Sequence, residues 1–287
     1  MANPVLSRPD AFTHDRAPQG YDQQQYGYGP QGHQYGQQFG PQGYGQAPHQ
    51  SQQQAPQASG LMTMDDVITK SAITIGGLVA VAVLTVFAFQ SGLIPPALML
   101  PAMVVCGIAA FVVPLVVAVR RTIGAGLALA FSAVEGVLIG LMSMFFEMYY
   151  PGIVVQAVLG TFVAAGVTLA AFKFGGVRLS NKVRRIVMIS MIGIVIASLL
   201  SFALSFAGIN LGLYAGVTGP VGGLAWLFAA AGVVLAVLSL VDDFQYIEAG
   251  IAQGAPAKES WRAAFGLTVT MVWLYTNILR ILSYIRR

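Results

Sequence analysis

The chain is predicted to be an all-α integral membrane protein: a seven-helix transmembrane bundle behind a disordered amino-terminal tail. Three observations predict this. Of 287 residues, 56% are hydrophobic and only 9% charged, where a soluble domain carries about 25% charge. Seven apolar segments follow one another from residue 71 onward, each near the roughly 20 residues that span a bilayer. The basic residues cluster in alternate connections between those segments, the signature of membrane topology. The bilayer is therefore the expected partner. Nucleic acid is not, although the net charge is +4 and the isoelectric point about 9.3, because the basic residues flank apolar spans rather than forming one phosphate-binding face.

Residues 1–60 form the tail. They are rich in Gln, Gly, Tyr and Pro, with Pro-Gln-Gly at Pro18-Gln19-Gly20, Pro30-Gln31-Gly32 and Pro41-Gln42-Gly43. Such a segment has too little aliphatic surface to offset its ordering entropy. It reads as a solvated tether, or as a self-associating or partner-docking tail with tyrosine stickers. It contains all three histidines and no apolar core of a signal peptide.

Residues 61–287 form the bundle. Thr63 is placed to cap the first helix, with Asp65 and Asp66 suited to the positive end of its dipole. The spans are expected at about 71–89, 97–119, 122–146, 152–172, 186–207, 221–241 and 263–285. All must be helical, because lipid cannot satisfy the backbone. Cys106, the single cysteine, lies inside a span and rules out an intramolecular disulfide. Paired glycines, Gly124 with Gly126, Gly175 with Gly176, and Gly222 with Gly223, permit close helix packing.

Orientation follows from the loops. Arg120 and Arg121 follow span two; Lys173, Arg178, Lys182, Arg184 and Arg185 follow span four; Lys258 and Arg262 follow span six. The loops after spans one, three and five have none, which puts the amino terminus and the basic loops in the cytoplasm. Arg286 and Arg287 then fall outside, against the rule. Either the last segment is re-entrant or the earlier loops fix the topology and the end follows. The length of Ala263–Ile285 favours a full crossing.

Few polar groups enter the apolar stretches. Glu135 is the one carboxylate deep in a span, at a cost on the order of 3 kcal/mol if ionised, which predicts a group that answers to pH or to a cation. Its bland alternative is a neutral glutamic acid hydrogen-bonded to a neighbouring helix. Asp242 and Asp243 close the sixth stretch, with Gln245 and Glu248 just beyond. Acids near a helix carboxyl end oppose the dipole, so a cation should compensate them unless the helix end is simply solvated. In the last span Thr270, Trp273, Asn277, Arg280 and Tyr284 recur at helical spacing and make a polar stripe. That helix should face protein or water at the bundle centre, with Arg280 the expected partner of Asp242 or Asp243.

At these residues the chain resembles the Bax inhibitor-1/YccA (transmembrane Bax inhibitor motif) family, and most its actinobacterial branch, over about residues 61–287. Glu135-Gly136 is similar to the family's acidic position in span three. Asp243-Phe244-Gln245 resembles its Asp-x-Gln motif. Leu274-Tyr275-Thr276-Asn277-Ile278-Leu279 resembles its Leu-Tyr-x-Asp segment. The resemblance implies a seven-helix bundle with the last helix central, a bacterial plasma (inner) membrane location, and a pH-sensitive calcium leak gated by two aspartates on spans six and seven that share a proton. Asp243 carries over to the first. The second is Asn277 here, and an amide does not titrate. Asp242 beside Asp243 is one replacement, as a coupled pair; Arg280 as an electrostatic latch is another.

Two functions follow. The first is a cation leak: calcium prefers oxygen ligands, and Asp242 and Asp243, with Gln245, Glu135 and Asn277, offer them for transient contact with calcium or protons. The second is a non-conducting regulator that docks a protein partner, such as a membrane protease, through the tail. Enzymatic activity is not expected. No histidine lies in any span, which removes Ser-His and His-zinc chemistry, and an aspartyl site needs two acids that face each other. No cofactor is expected either.

Overall fold

The computed structural model describes residues 60–120, 123–215 and 220–287. The tail expected at residues 1–60 lies outside the described residues except for Gly60, as does Arg121. Seven helices among the described residues are long and apolar enough to cross a membrane. They are α1 (Met64–Gln90), α2 (Met99–Val119, led in by a 3-10 turn at Pro96–Leu98), α3 (Ala125–Tyr149), α4 (Ile153–Lys173), α5 (Asn181–Phe206), α6 (Gly223–Ala252) and α7 (Glu259–Ile285). The chain is a multi-pass membrane protein. One end of the bundle carries the starts of α1, α3, α5 and α7 and all the basic connections; it is called the basic end below.

The helices begin where the sequence supplies caps. Thr63 Oγ1 accepts from the Asp66 amide at 3.2 Å, with Asp65 and Asp66 in the first turn of α1. Ser180 Oγ accepts from the Val183 amide at 3.4 Å and starts α5. At the opposite end the Glu147 carboxylate caps α4 by accepting from the amides of Gly152 and Val154, a charge the positive helix terminus favours. Gly152 stands at φ +80°, which only glycine enters without strain.

α7 is the central helix. It packs against α1, α3, α4 and α6, and half of its apolar window is buried, against 6% for α2 and 11% for α5. α2 rests chiefly on α3, and α5 chiefly on α6; their large apolar side chains face outward, as lipid-facing helices require. Interhelical hydroxyl bonds stitch the centre: Thr268 to Thr74 of α1 at 3.0 Å, and Tyr275 to Ser143 of α3 at 2.7 Å. Each is worth about 0.6 kcal/mol in a membrane. Arg262, wholly buried, pairs with Glu259 at 2.9 Å and donates to the Arg120 carbonyl at 3.2 Å, so the start of α7 is tied to the end of α2.

Close packing falls on glycines other than the expected pairs. A Cβ at Gly136 would lie 2.6 Å from the Leu78 carbonyl oxygen, and one at Gly140 would lie 2.7 Å from that of Ala82. These two, four residues apart, form the small-x-x-x-small seam that brings α3 onto α1. Gly124, Gly126, Gly222 and Gly223 have open space around them, and Gly175 meets only its own chain at Ala171. Gly124 and Gly222 are N-caps and Gly175 and Gly176 lie between α4 and α5, so none of the expected pairs lies wholly within a helix, where four-residue spacing makes a groove.

The last span is one continuous helix of 27 residues that runs alongside α6; it is not a re-entrant hairpin. At the basic end the Met62 amide donates to the Ala255 carbonyl and the Ala257 amide to the Gly60 carbonyl, both at 2.7 Å. Lys70 Nζ donates to the Ala257 carbonyl at 2.9 Å and to Asp66 at 2.7 Å. The α6–α7 turn is thereby fastened to the entry of α1.

Candidate functional site

α6 continues as helix for eleven residues beyond the predicted boundary at Val241; Asp242 to Glu248 contain no Gly or Pro to stop it, and packing on neighbouring helices overrides the modest propensity of its Asp and aromatic residues. Asp242 and Asp243 therefore lie within the helix rather than at a solvated end, and both are wholly buried. Adjacent helical residues diverge by about 100°, and the two acids accordingly meet different neighbours. Asp242 turns to α5, where Arg184 Nε donates to its Oδ1 at 2.6 Å. Asp243 turns to α7, where the Thr270 hydroxyl donates to its Oδ2 at 2.6 Å. The second oxygen of Asp242 accepts no hydrogen bond from the described residues.

Three residues on one face of α6, at three-residue spacing, grip the α4–α5 connection and the first turn of α5. Asp242 holds Arg184. The Gln245 amide accepts from the Leu179 backbone N–H at 3.0 Å and donates to the Leu179 carbonyl at 3.5 Å. Glu248 takes Arg178 in a two-pronged pair, which holds the Arg178 guanidinium above its ordinary range. Aromatic rings complete the clasp. Arg184 lies over Tyr246 at 4.5 Å, Arg178 over Phe172 at 4.9 Å, and Phe172 packs on Phe244 at 5.6 Å.

The compensating cation is thus Arg184 and not Arg280. Arg280 stacks over the Tyr214 ring at 4.4 Å, ten residues of helix, or about 15 Å, beyond Thr270. Asn277 does not face Asp243 either. It lies against Gly232, where a side chain would collide with its amide, and its Nδ2 donates to the Trp273 carbonyl of its own helix at 2.8 Å. Thr270 occupies the place opposite Asp243. The polar stripe of α7 is confirmed as a seam: Thr270, Asn277 and Tyr284 are buried, with Tyr284 against Trp226 at 5.5 Å. Trp273 and Arg280 sit half-buried at its edges.

Glu135 is buried on α3, and its Oε2 has no hydrogen-bond partner among the described residues. α3 packs on α1, α2, α4 and α7, with no packed seam to α6, so Glu135 is not gathered with the two aspartates. Gln245 is committed to Leu179. The oxygen set expected for calcium is therefore not assembled in one place: among the described residues no three His, Cys, Asp or Glu side chains stand together as metal ligands. What the site offers is two adjacent buried acids between α5 and α7.

Sequence reasoning passed over Arg184, Arg178 and Tyr246, and gave Thr270 no role of its own. The signal for them was present in the basic run from Lys173 to Arg185, which served only as a topology marker. Two of its five cations, Arg184 and Arg178, answer the two acids Asp242 and Glu248.

No curated protein matches the chain. A family model described as Bax inhibitor 1 like matches residues 3–287, further toward the amino terminus than the expected 61–287. With seven spans, a central last helix and buried acids on α6, the chain belongs to the Bax inhibitor 1 like family of membrane proteins.

Proposed function

We propose that this chain is a pH-sensitive cation leak, with calcium the expected ion, in which Asp242 and Asp243 control passage at the basic end. One observation carries the reading: two adjacent acids, fully buried in a spanning helix, are held from opposite sides by Arg184 and Thr270. Buried carboxylates in a membrane are costly and are kept for function. In the resting arrangement the Arg184 charge closes the site to other cations by like-charge repulsion. Protonation of Asp242 removes the charge that holds Arg184; α5 is then released while Gln245 and Glu248 keep the α4–α5 connection, and Asp243 becomes accessible to a hard cation. Glu135 responds to pH separately from α3, and Asn277 and Arg280 act on the far half of the α6–α7 seam.

The test is calcium flux into proteoliposomes across pH. Asp243→Asn is expected to cut flux about tenfold or more, the equivalent of about 1.4 kcal/mol. Asp242→Asn, which mimics the protonated acid, is expected to raise flux at neutral pH and flatten its pH dependence. Unchanged flux in both variants removes the residue assignment; no flux at any pH removes the conducting function.

A non-conducting regulator is the second reading. It is favoured by the pairing of Gly60 and Met62 with the α6–α7 turn, which fixes the start of the described chain at the end of the bundle that holds the acids, where a docked partner would act through α6. A pull-down with and without residues 1–59 separates the two, since partner loss on truncation supports the regulator.

A further inference from the structure

A sizeable cavity among the described residues lies away from the acids. It holds about 460 Å³ between α1 and α4, which share no packed seam, and its back wall is made by α3 and α7. It runs along α1 from Ile75 to Gln90, fifteen residues or about 22 Å of helix, most of the roughly 30 Å hydrocarbon thickness. Its mouth is rimmed by Val83, Phe87 and Phe162, each more than half exposed. Phe162 sits at the middle of α4, while Val83 and Phe87 lie about two turns and one turn before the end of α1, so most of the mouth opens to hydrocarbon.

We infer that this groove binds one hydrocarbon chain of a bilayer lipid, inserted laterally between α1 and α4 until it touches α7. The wall chemistry selects an alkyl chain. Its polar groups are already satisfied: Ser143 bonds Tyr275 and the Ile139 carbonyl, Thr161 bonds the Ala157 carbonyl, and Thr268 bonds Thr74 and the Ala264 carbonyl. What remains toward the cavity is aliphatic, so water has too few partners to occupy it. At about 30 Å³ per water-sized group, the volume has room for on the order of fifteen such groups, a long single chain. A helix of a second copy, about 10 Å across, would need roughly 1,700 Å³ over the same length, several times the 460 Å³ of the cavity. The exposed Gln90 at the far end of the groove stands where a headgroup begins. The inserted chain touches Met271, Val272 and Tyr275 on α7, the first of them next to Thr270, so lipid identity reaches the helix that holds Asp243. The inference does not depend on conduction.

The test uses the full chain in nanodiscs of phosphatidylcholine doped with a phospholipid that bears a diazirine near the middle of one acyl chain. Cross-linked peptides are mapped after illumination. Adducts on the inner wall, at Ser143, Met271 or Tyr275, are expected. They are expected to be lost when Val83→Trp and Val158→Trp fill the groove, and kept in Val234→Trp, an exposed change on α6. Adducts confined to outward positions of α2 and α5, with none on the inner wall of the unaltered chain, overturn the inference, and that reading stands even if the filled variant does not fold. Cross-links between two protein copies across α1 and α4 overturn it as well.

Discussion

Arg184 illustrates what one side chain does here. It is 28% exposed while its partner Asp242 is wholly buried, so the acid carries most of the desolvation and the arginine supplies most of the compensation. Removing one partner of such a pair strands the other. A double-mutant cycle of Arg184→Met and Asp242→Asn, read by unfolding in detergent, is expected to give a coupling of about 2 kcal/mol. The same cycle with Arg280→Met is expected to give coupling within about 0.5 kcal/mol of zero, the additivity of distant sites. Arg178 and Glu248 are each about half exposed, so solvent screening leaves their pair little weight beside the buried one. The sequence made the need for a cation legible, through acids that oppose a helix dipole, but not which cation. That choice depends on where α6 stops. Hydropathy puts the end at Val241, because Asp242 begins the polar run. With the turn instead at residues 253–258, antiparallel register sets Thr270 against Asp243 and carries Arg280 three turns away.

At the scale of elements, the α1–α3 seam rests on Gly136 and Gly140. Alanine at either meets a carbonyl oxygen of α1, which cannot yield as a flexible side chain does. Gly140→Ala is expected to cost about 1–3 kcal/mol, while Gly126→Ala, with open space around it, is expected to be neutral or slightly stabilising; thermal melts of the purified variants decide it. The α1 entry makes a second case. Met62 is 2% exposed and joins a cluster with Val67, Leu240 and Ile247. Met62→Ala is expected to cost about 2–5 kcal/mol and to speed amide exchange at Ala257, whose bond to Gly60 belongs to the same strap. Helix positions, the Thr63 cap and the α7 stripe could be read in the sequence because each is a local pattern. The working glycines and the Gln245 clasp on Leu179 could not, since both need the identity of the neighbouring helix.

For the whole molecule, α7 lies at the centre with α1, α3, α4 and α6 around it, and the basic connections share one end. This arrangement predicts sidedness. In a Cys106→Ser background, cysteines at Lys182 and Lys258 are expected to react with a membrane-impermeant maleimide from one face, and cysteines at Gly92 and Ile209 from the other. Labelling of all four from a single face would refute the seven-crossing topology. The outer helices differ from the inner ones in what holds them. α5 leans chiefly on α6, and the guanidinium that neutralises Asp242 rides on its first turn. A hinge at the α4–α5 connection would therefore let α5 swing as a single oar into the surrounding lipid, baring an acid while the inner rotor of α1, α3, α4, α6 and α7 keeps every one of its own contacts.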